Sequence, residues 1–168
     1  HHPANPDAQE SRGLGDVYKR QIQGGSYQIW ARKYRTGSIK HEEDISAIHN
    51  FYDSVIARGV QLRAELQLFK NAGKKIYVYG ASTKGNTMLQ LWDIGNYFDG
   101  AAEIHPDKIG RFTVGTNIPI VSEQEAKENA DVFFVPNFGF RDMFVEKERE
   151  WLEKGGRMIF AMPRVEVI

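Results

Sequence analysis

Residues 76–90, IYVYGASTKGNTMLQ, run a nearly all-apolar segment directly into Gly80-Ala81-Ser82-Thr83-Lys84-Gly85-Asn86-Thr87. An apolar strand, a glycine turn and a helix start, in that order, have the makings of an anion site. The first turn of a helix leaves backbone N–H groups unpaired and carries a partial positive charge. Gly85 lets a ligand come close to the backbone. Ser82, Thr83 and Thr87 add hydroxyls, and Lys84 adds a full charge. A phosphate or diphosphate is the natural guest. The same residues also make good helix caps, with Ser82 or Thr83 at the N-cap, and the turn by itself leaves both readings open.

Two phosphate-binding patterns come close without matching. A dinucleotide fingerprint, G-x-G-x-x-G, needs glycine where Ser82 stands. A Walker A loop, G-x-x-x-x-G-K-[ST], has its two glycines correctly spaced at 80 and 85, but Asn86 replaces the lysine and Lys84 precedes the second glycine. ATP hydrolysis is poorly supported. Glu103 lies 23 positions after Gly80, near where dinucleotide folds keep an acid for a ribose hydroxyl; the alternative is an exposed carboxylate at a strand end.

Other chemistry is thin. The five histidines (His1, His2, His41, His49 and His105) show no metal-ligand spacing. Ser82 lacks the G-x-S-x-G surroundings of a hydrolase nucleophile. The run EKEREWLE, 146–153, reads as a solvated helix face with i,i+4 pairs. Phe133, Phe134, Phe138, Phe140 and Phe144 read mainly as core. The alternative for Phe138 is the crevice wall, where an aromatic ring stacks on a nucleobase.

The elements that must position the turn follow from periodicity. Residues 24–34 alternate as a strand after Gly24-Gly25. From about Glu42 to Asn71 apolar residues recur every three or four positions, which predicts a long amphipathic helix with a kink or break at Arg58-Gly59. Strands then alternate with helices. KIYVYGAS is a strand, GNTMLQLWDIG a helix ending near Gly95, and FDGAAEIH a strand. A loop carries the extended piece Ile118–Val121. Ser122 caps a helix with Glu125 three residues on. ADVFFVP is a strand, FRDMFVEKEREWLEKGG one helix, and RMIFAMP a last strand. Strand–helix alternation with short connections gives an α/β, Rossmann-like three-layer domain with a mainly parallel sheet, preceded by the long helix.

The chain has 168 residues, enough for one proper core, and its 22 Lys+Arg balance 22 Asp+Glu. Zero net charge without a basic stripe argues against a nucleic-acid partner. The absence of cysteine removes thiolate chemistry and Cys-bound zinc, and fits a reducing, cytoplasmic setting. No apolar run reaches membrane-spanning length. Residues 1–21 lack an apolar period and read as a disordered leader, a sequencing or expression artefact whose Gly13-Leu14-Gly15-Asp16 only imitates a cofactor loop.

Three blocks resemble the C-terminal domain of SAM-dependent sugar C-methyltransferases: GKKIYVYGASTKGNTMLQ, AAEIHPDKIGRFTVGTNIPIVSEQEA and DVFFVPNFGFRDMFVEKEREWLEKGGRMIFAMP. They cover roughly residues 60–163, in order. GGSYQIWARK is similar to the tail of that family's central SAM-binding domain. The resemblance implies a parent with an N-terminal zinc domain, a central SAM domain and this Rossmann-like domain. The parent would transfer a methyl group from SAM to a carbon beside a keto group of a nucleotide-linked deoxysugar.

For this domain the resemblance implies a nucleotide-diphosphate sugar held by Gly80, Ala81, Ser82, Lys84, Gly85, Asn86, Thr87, Glu103 and Arg141, and the reading of the turn and crevice adds Thr83, Asn137 and Phe138. Ile104 and His105 replace the Arg and Asn of the family's E-R-N-P, and Gly139 stands where a histidine is common. The zinc cysteines, the SAM loop and the catalytic Tyr or His motif are absent, so no catalytic residue, no metal and no cofactor are expected in this piece. The expected organisation is 1–21 leader, 22–40 the last strand of a missing upstream SAM-binding domain, 41–72 a connecting helix and 73–168 the C-terminal domain. The rivals are an NAD(P)-binding oxidoreductase module, which the missing middle glycine disfavours, and a non-catalytic interaction domain.

Overall fold

In the computed structural model of the protein the described residues are 14–22, 26–33 and 45–168, the first two stretches as backbone only. The chain divides into two units, His1–Ile45 and Ser46–Ile168.

In the first unit β1 (Leu14–Ile22) pairs antiparallel with β2 (Ser26–Lys33), in a register that sets Ile22 opposite Ser26. Gly24 and Gly25 fall between the two strands. The strand at 26–33 is where alternation puts it. Residues 14–21 of the expected leader lie in β1, whose backbone pairs with β2 without an apolar period. Residues 1–13 and 34–44 lie outside the described residues, and with them His41 and the start of the predicted helix.

The second unit opens with α1 (Ile45–Asn71), one continuous helix. No break occurs at Gly59. A Cβ there would sit 2.3 Å from Trp92 Cδ1, so the glycine admits the indole against the helix backbone. Trp92 Nε1 donates to the Val55 carbonyl at 3.1 Å, and Arg63 donates to the Trp92 carbonyl at 2.6 Å. The buried residues of α1 are Gly59, Leu62 and Leu66; upstream, Ile45, Ile48, Phe51 and Tyr52 are exposed.

The strands that follow are β3 (Ile76–Tyr79), β4 (Gly100–Glu103), β5 (Ile120–Ser122), β6 (Val132–Phe134), β7 (Arg157–Phe160) and β8 (Glu166–Val167). They lie in the order β5-β4-β3-β6-β7-β8, parallel except for β8. The extended piece near Ile120 is thus a sheet strand rather than part of a loop. β8 has two residues behind Pro163, too short to announce itself by alternation. All four residues of β3 are buried, as a parallel strand covered on both faces requires.

The helices are α2 (Thr83–Leu91), α3 (Glu123–Asn129), α4 (Arg141–Lys147) and α5 (Arg149–Glu153). Ile76 and Val78 join Leu62, Leu66, Leu89 and Trp92 in one core, while Tyr77 and Tyr79 join Ala126, Phe133 and Met158 in the other, with Phe144 and Trp151 against it. The result is three layers: α1 and α2, the sheet, then α3, α4 and α5. Ser122 caps α3 by accepting the Glu125 N–H at 3.1 Å.

The single helix predicted over FRDMFVEKEREWLEKGG is two. Its break falls at Glu148, which is only 3% exposed, so the reading of 146–153 as wholly solvated is corrected. The reason is a partner from outside the helix: the Tyr79 hydroxyl donates to Glu148 Oε1 at 2.6 Å.

Candidate functional site

From β3 the chain proceeds outward to β4 and β5, then returns to β6 and proceeds the other way to β7 and β8. The order reverses between β3 and β6, and in open α/β sheets the crevice outside the carboxyl ends of such strands is the ligand site. The glycine turn after β3 and the Pro136–Phe140 segment after β6 border that crevice.

Gly80 leaves β3 with φ +96°, a conformation that favours glycine, and its N–H donates to the Ala102 carbonyl at 3.1 Å. Ser82 is the N-cap of α2, its hydroxyl accepting the Gly85 N–H at 3.1 Å. The Ser82 N–H closes back on the Gly80 carbonyl at 2.9 Å, and the Asn86 N–H goes to the Ser82 carbonyl at 2.9 Å. Among the described residues, the N–H groups of Ala81, Thr83 and Lys84 meet no protein acceptor. The cap and the anion cradle therefore coexist: Ser82 satisfies one orphan donor and leaves its neighbours open.

A Cβ on Gly85 would approach Pro136 Cγ to 3.2 Å, so the turn packs against the segment after β6. Lys84 Nζ lies 5.0 Å from the centre of the Phe138 ring. Asn86 Oδ1 is enclosed and meets no hydrogen-bond donor among the described residues.

Glu103, at the end of β4, is already engaged. Its Oε1 accepts the Ile104 and His105 N–H groups at 2.9 and 3.1 Å, and its Oε2 accepts Lys108 Nζ at 2.8 Å. Burial pushes its pKa up, but the Lys108 bond and the two backbone donors outweigh burial and hold the carboxyl below its ordinary value. Lys108 also donates to the Ala81 carbonyl at 3.2 Å.

The structure thus gathers Gly80, Ala81, Ser82, Thr83, Lys84, Gly85 and Phe138 around the crevice and ties Glu103 to the turn through Lys108. It directs two predicted residues elsewhere. The Thr87 hydroxyl donates to the Thr83 carbonyl of its own helix at 3.0 Å. The Arg141 guanidinium grips Glu166 of β8 through two bonds of 2.9 and 2.8 Å and reaches Asp142 at 2.9 Å; these bonds raise its pKa. Asn137 precedes the 3₁₀ turn Phe138–Phe140, its carbonyl accepting the Phe140 N–H at 3.0 Å.

Two features escaped the sequence. Lys108 shows no period or motif. The second is a network on the opposite face of the sheet, buried at Tyr79 and Glu148 and open to solvent at its lysines. Lys127 and Lys147 both bind Glu123, at 3.0 and 2.8 Å, and Lys127 lies 2.9 Å from Glu148. Lys147 also donates to the Tyr79 hydroxyl at 3.0 Å. Burial, then the bond to Glu148, pushes the Tyr79 pKa far up. Among the described residues no group of three or more His, Cys, Asp or Glu is placed to hold a metal, and no helix is long and apolar enough to cross a membrane.

The model of a family described as C-methyltransferase C-terminal domain matches residues 21–163. The C-methyltransferase NovU of Streptomyces niveus is 28% identical over 177 residues, covering 95% of this chain and 42% of its own length. The chain therefore spans less than half of that relative. With the glycine turn at the sheet's reversal point and the match running from the hairpin to the last core strand, the chain belongs to the C-methyltransferase C-terminal domain family.

Proposed function

We propose that this chain is the substrate-holding part of a SAM-dependent C-methyltransferase acting on a nucleotide-linked deoxysugar, with the Gly80–Lys84 turn gripping the diphosphate. The observation that carries the reading is the set of open N–H groups at Ala81, Thr83 and Lys84, beside the Lys84 ammonium, at the reversal point of the sheet. Family membership supports methyl transfer as the setting. SAM, which supplies the methyl group, is assigned in this reading to an upstream part of a longer protein, and the β1–β2 hairpin to the end of that part.

The residues described here do not fit SAM or NAD themselves. The carboxylate that would take a ribose diol, Glu103, has a side chain only 10% exposed and three donors already in place. The same observation favours a diphosphate ligand over a dinucleotide.

Calorimetric titration with a nucleotide-diphosphate sugar and with NAD tests the proposal. The sugar nucleotide is expected to bind, and to bind more weakly as salt rises, because a partly exposed phosphate contact is screened. Lys84→Ala is expected to cost about tenfold in affinity, one charge-assisted hydrogen bond. No binding at millimolar sugar nucleotide, or tighter binding of NAD, would overturn the assignment.

A further inference from the structure

Lys108 joins two pieces of the crevice that the backbone alone leaves loosely connected. Its ammonium has three donors. One goes to the Ala81 carbonyl at 3.2 Å and one to Glu103 Oε2 at 2.8 Å. Glu103 is in turn fixed by the Ile104 and His105 N–H groups. The other tie from the turn to β4 is the Gly80 N–H on the Ala102 carbonyl. Between these ties lies Gly80, at positive φ with nothing within 4 Å of where a Cβ would stand, so the turn has no packing of its own at that point.

We propose that Lys108 is a positioning residue of the anion site. Held by Glu103, it keeps the Ala81 carbonyl turned toward β4 and away from the first turn of α2. The proposal rests on the diphosphate reading of the Gly80–Lys84 turn. An unheld Ala81 carbonyl has natural acceptor geometry for donors three or four residues on, the N–H groups of Lys84 and Gly85, because helices extend by that spacing. Taking the Lys84 N–H would consume a donor meant for the ligand. Lys108 competes for that carbonyl and keeps the cradle open.

The sign of one substitution separates this from simple electrostatics. Glu103→Gln removes a negative charge near the anion, which through space would strengthen binding. In the clamp it weakens binding, because an amide N–H₂ facing Lys108 releases the ammonium from its anchor. The probe is inorganic pyrophosphate, titrated into the whole chain and its variants, with thermal melting of each to confirm folding. Expected are losses of about tenfold for Lys108→Met and about threefold or more for Glu103→Gln, a double variant no weaker than Lys108→Met, and Lys108→Arg within about threefold of wild type. Tighter binding by Glu103→Gln, or additive losses in the double variant, would overturn the clamp while leaving the diphosphate reading intact. A wild type that does not bind pyrophosphate would overturn both. Lys108→Arg retains the donors and the charge, so it decides the matter if Lys108→Met fails to fold.

Discussion

Lys84 Nζ stands 5.0 Å from the centre of the Phe138 ring, so a cation on the first turn of α2 meets an aromatic face on the segment after β6. The contact bridges the two banks of the crevice. It also sets a competition: an ammonium over a ring gains about 0.5–1 kcal/mol at an exposed site, and an arriving phosphate must outbid it. Phe138→Leu is therefore expected to tighten pyrophosphate binding by about two- to fivefold. Weaker binding in a calorimetric titration would show instead that the ring itself supports the ligand.

Gly59 predicts its own intolerance. Alanine improves helix propensity by about 1 kcal/mol over glycine, and on an exposed helix would stabilise. Here the new Cβ would lie 2.3 Å from Trp92 Cδ1. Gly59→Ala is expected to destabilise the domain by about 1–3 kcal/mol through overpacking. Urea unfolding reads this directly; a gain in stability would mean that the indole moves aside freely.

The Tyr79 hydroxyl is one of the donors that make a buried Glu148 tolerable. Tyr79→Phe should cost about 1.5–3 kcal/mol, the range for a hydrogen bond to a charged group, even though Lys127 keeps its 2.9 Å contact. An unchanged urea midpoint would show that the lysine alone satisfies the carboxylate.

Acid should loosen the β4 end. The Glu103 carboxyl is held below its ordinary value in the folded protein. A lowered folded pKa means that the unfolded chain binds the proton first as pH falls. The associated stability is complete above about pH 4.5 and is lost as pH drops through the lower folded value. Glu123, held down by Lys147 and Lys127 against the opposing effect of burial, acts in the same direction. Melting temperatures between about pH 5 and pH 3 should fall less steeply for Glu103→Gln than for wild type; parallel curves would exclude Glu103 from the effect.

The parallel core was legible because its signal is local. IYVY and VFF are continuous apolar runs, and burial on both faces is what such runs demand. The Ser82 and Ser122 caps were legible for the same reason, since a cap is written within three residues. What stayed hidden depends on partners far along the chain. Glu148 looks solvated until Tyr79, 69 positions earlier, is placed beside it. Lys108 is an ordinary loop lysine until the fold sets it against Ala81, 27 positions away. Arg141 lies in the resembling block but is spent on Glu166, a residue of a strand too short to foresee. Gly59 reads in sequence as a helix breaker, and only the indole of Trp92 in the fold shows that it is there for close contact.

The indole lodged against Gly59 also rivets α2 to α1. The helix is pinned near its middle, and Ile45 lies 14 residues upstream, about 21 Å along the axis at 1.5 Å per residue. Trp92 is the C-cap of α2, the helix that begins at the glycine turn. One indole thus fastens the helix that begins at the glycine turn, at its opposite end, to the backbone of α1.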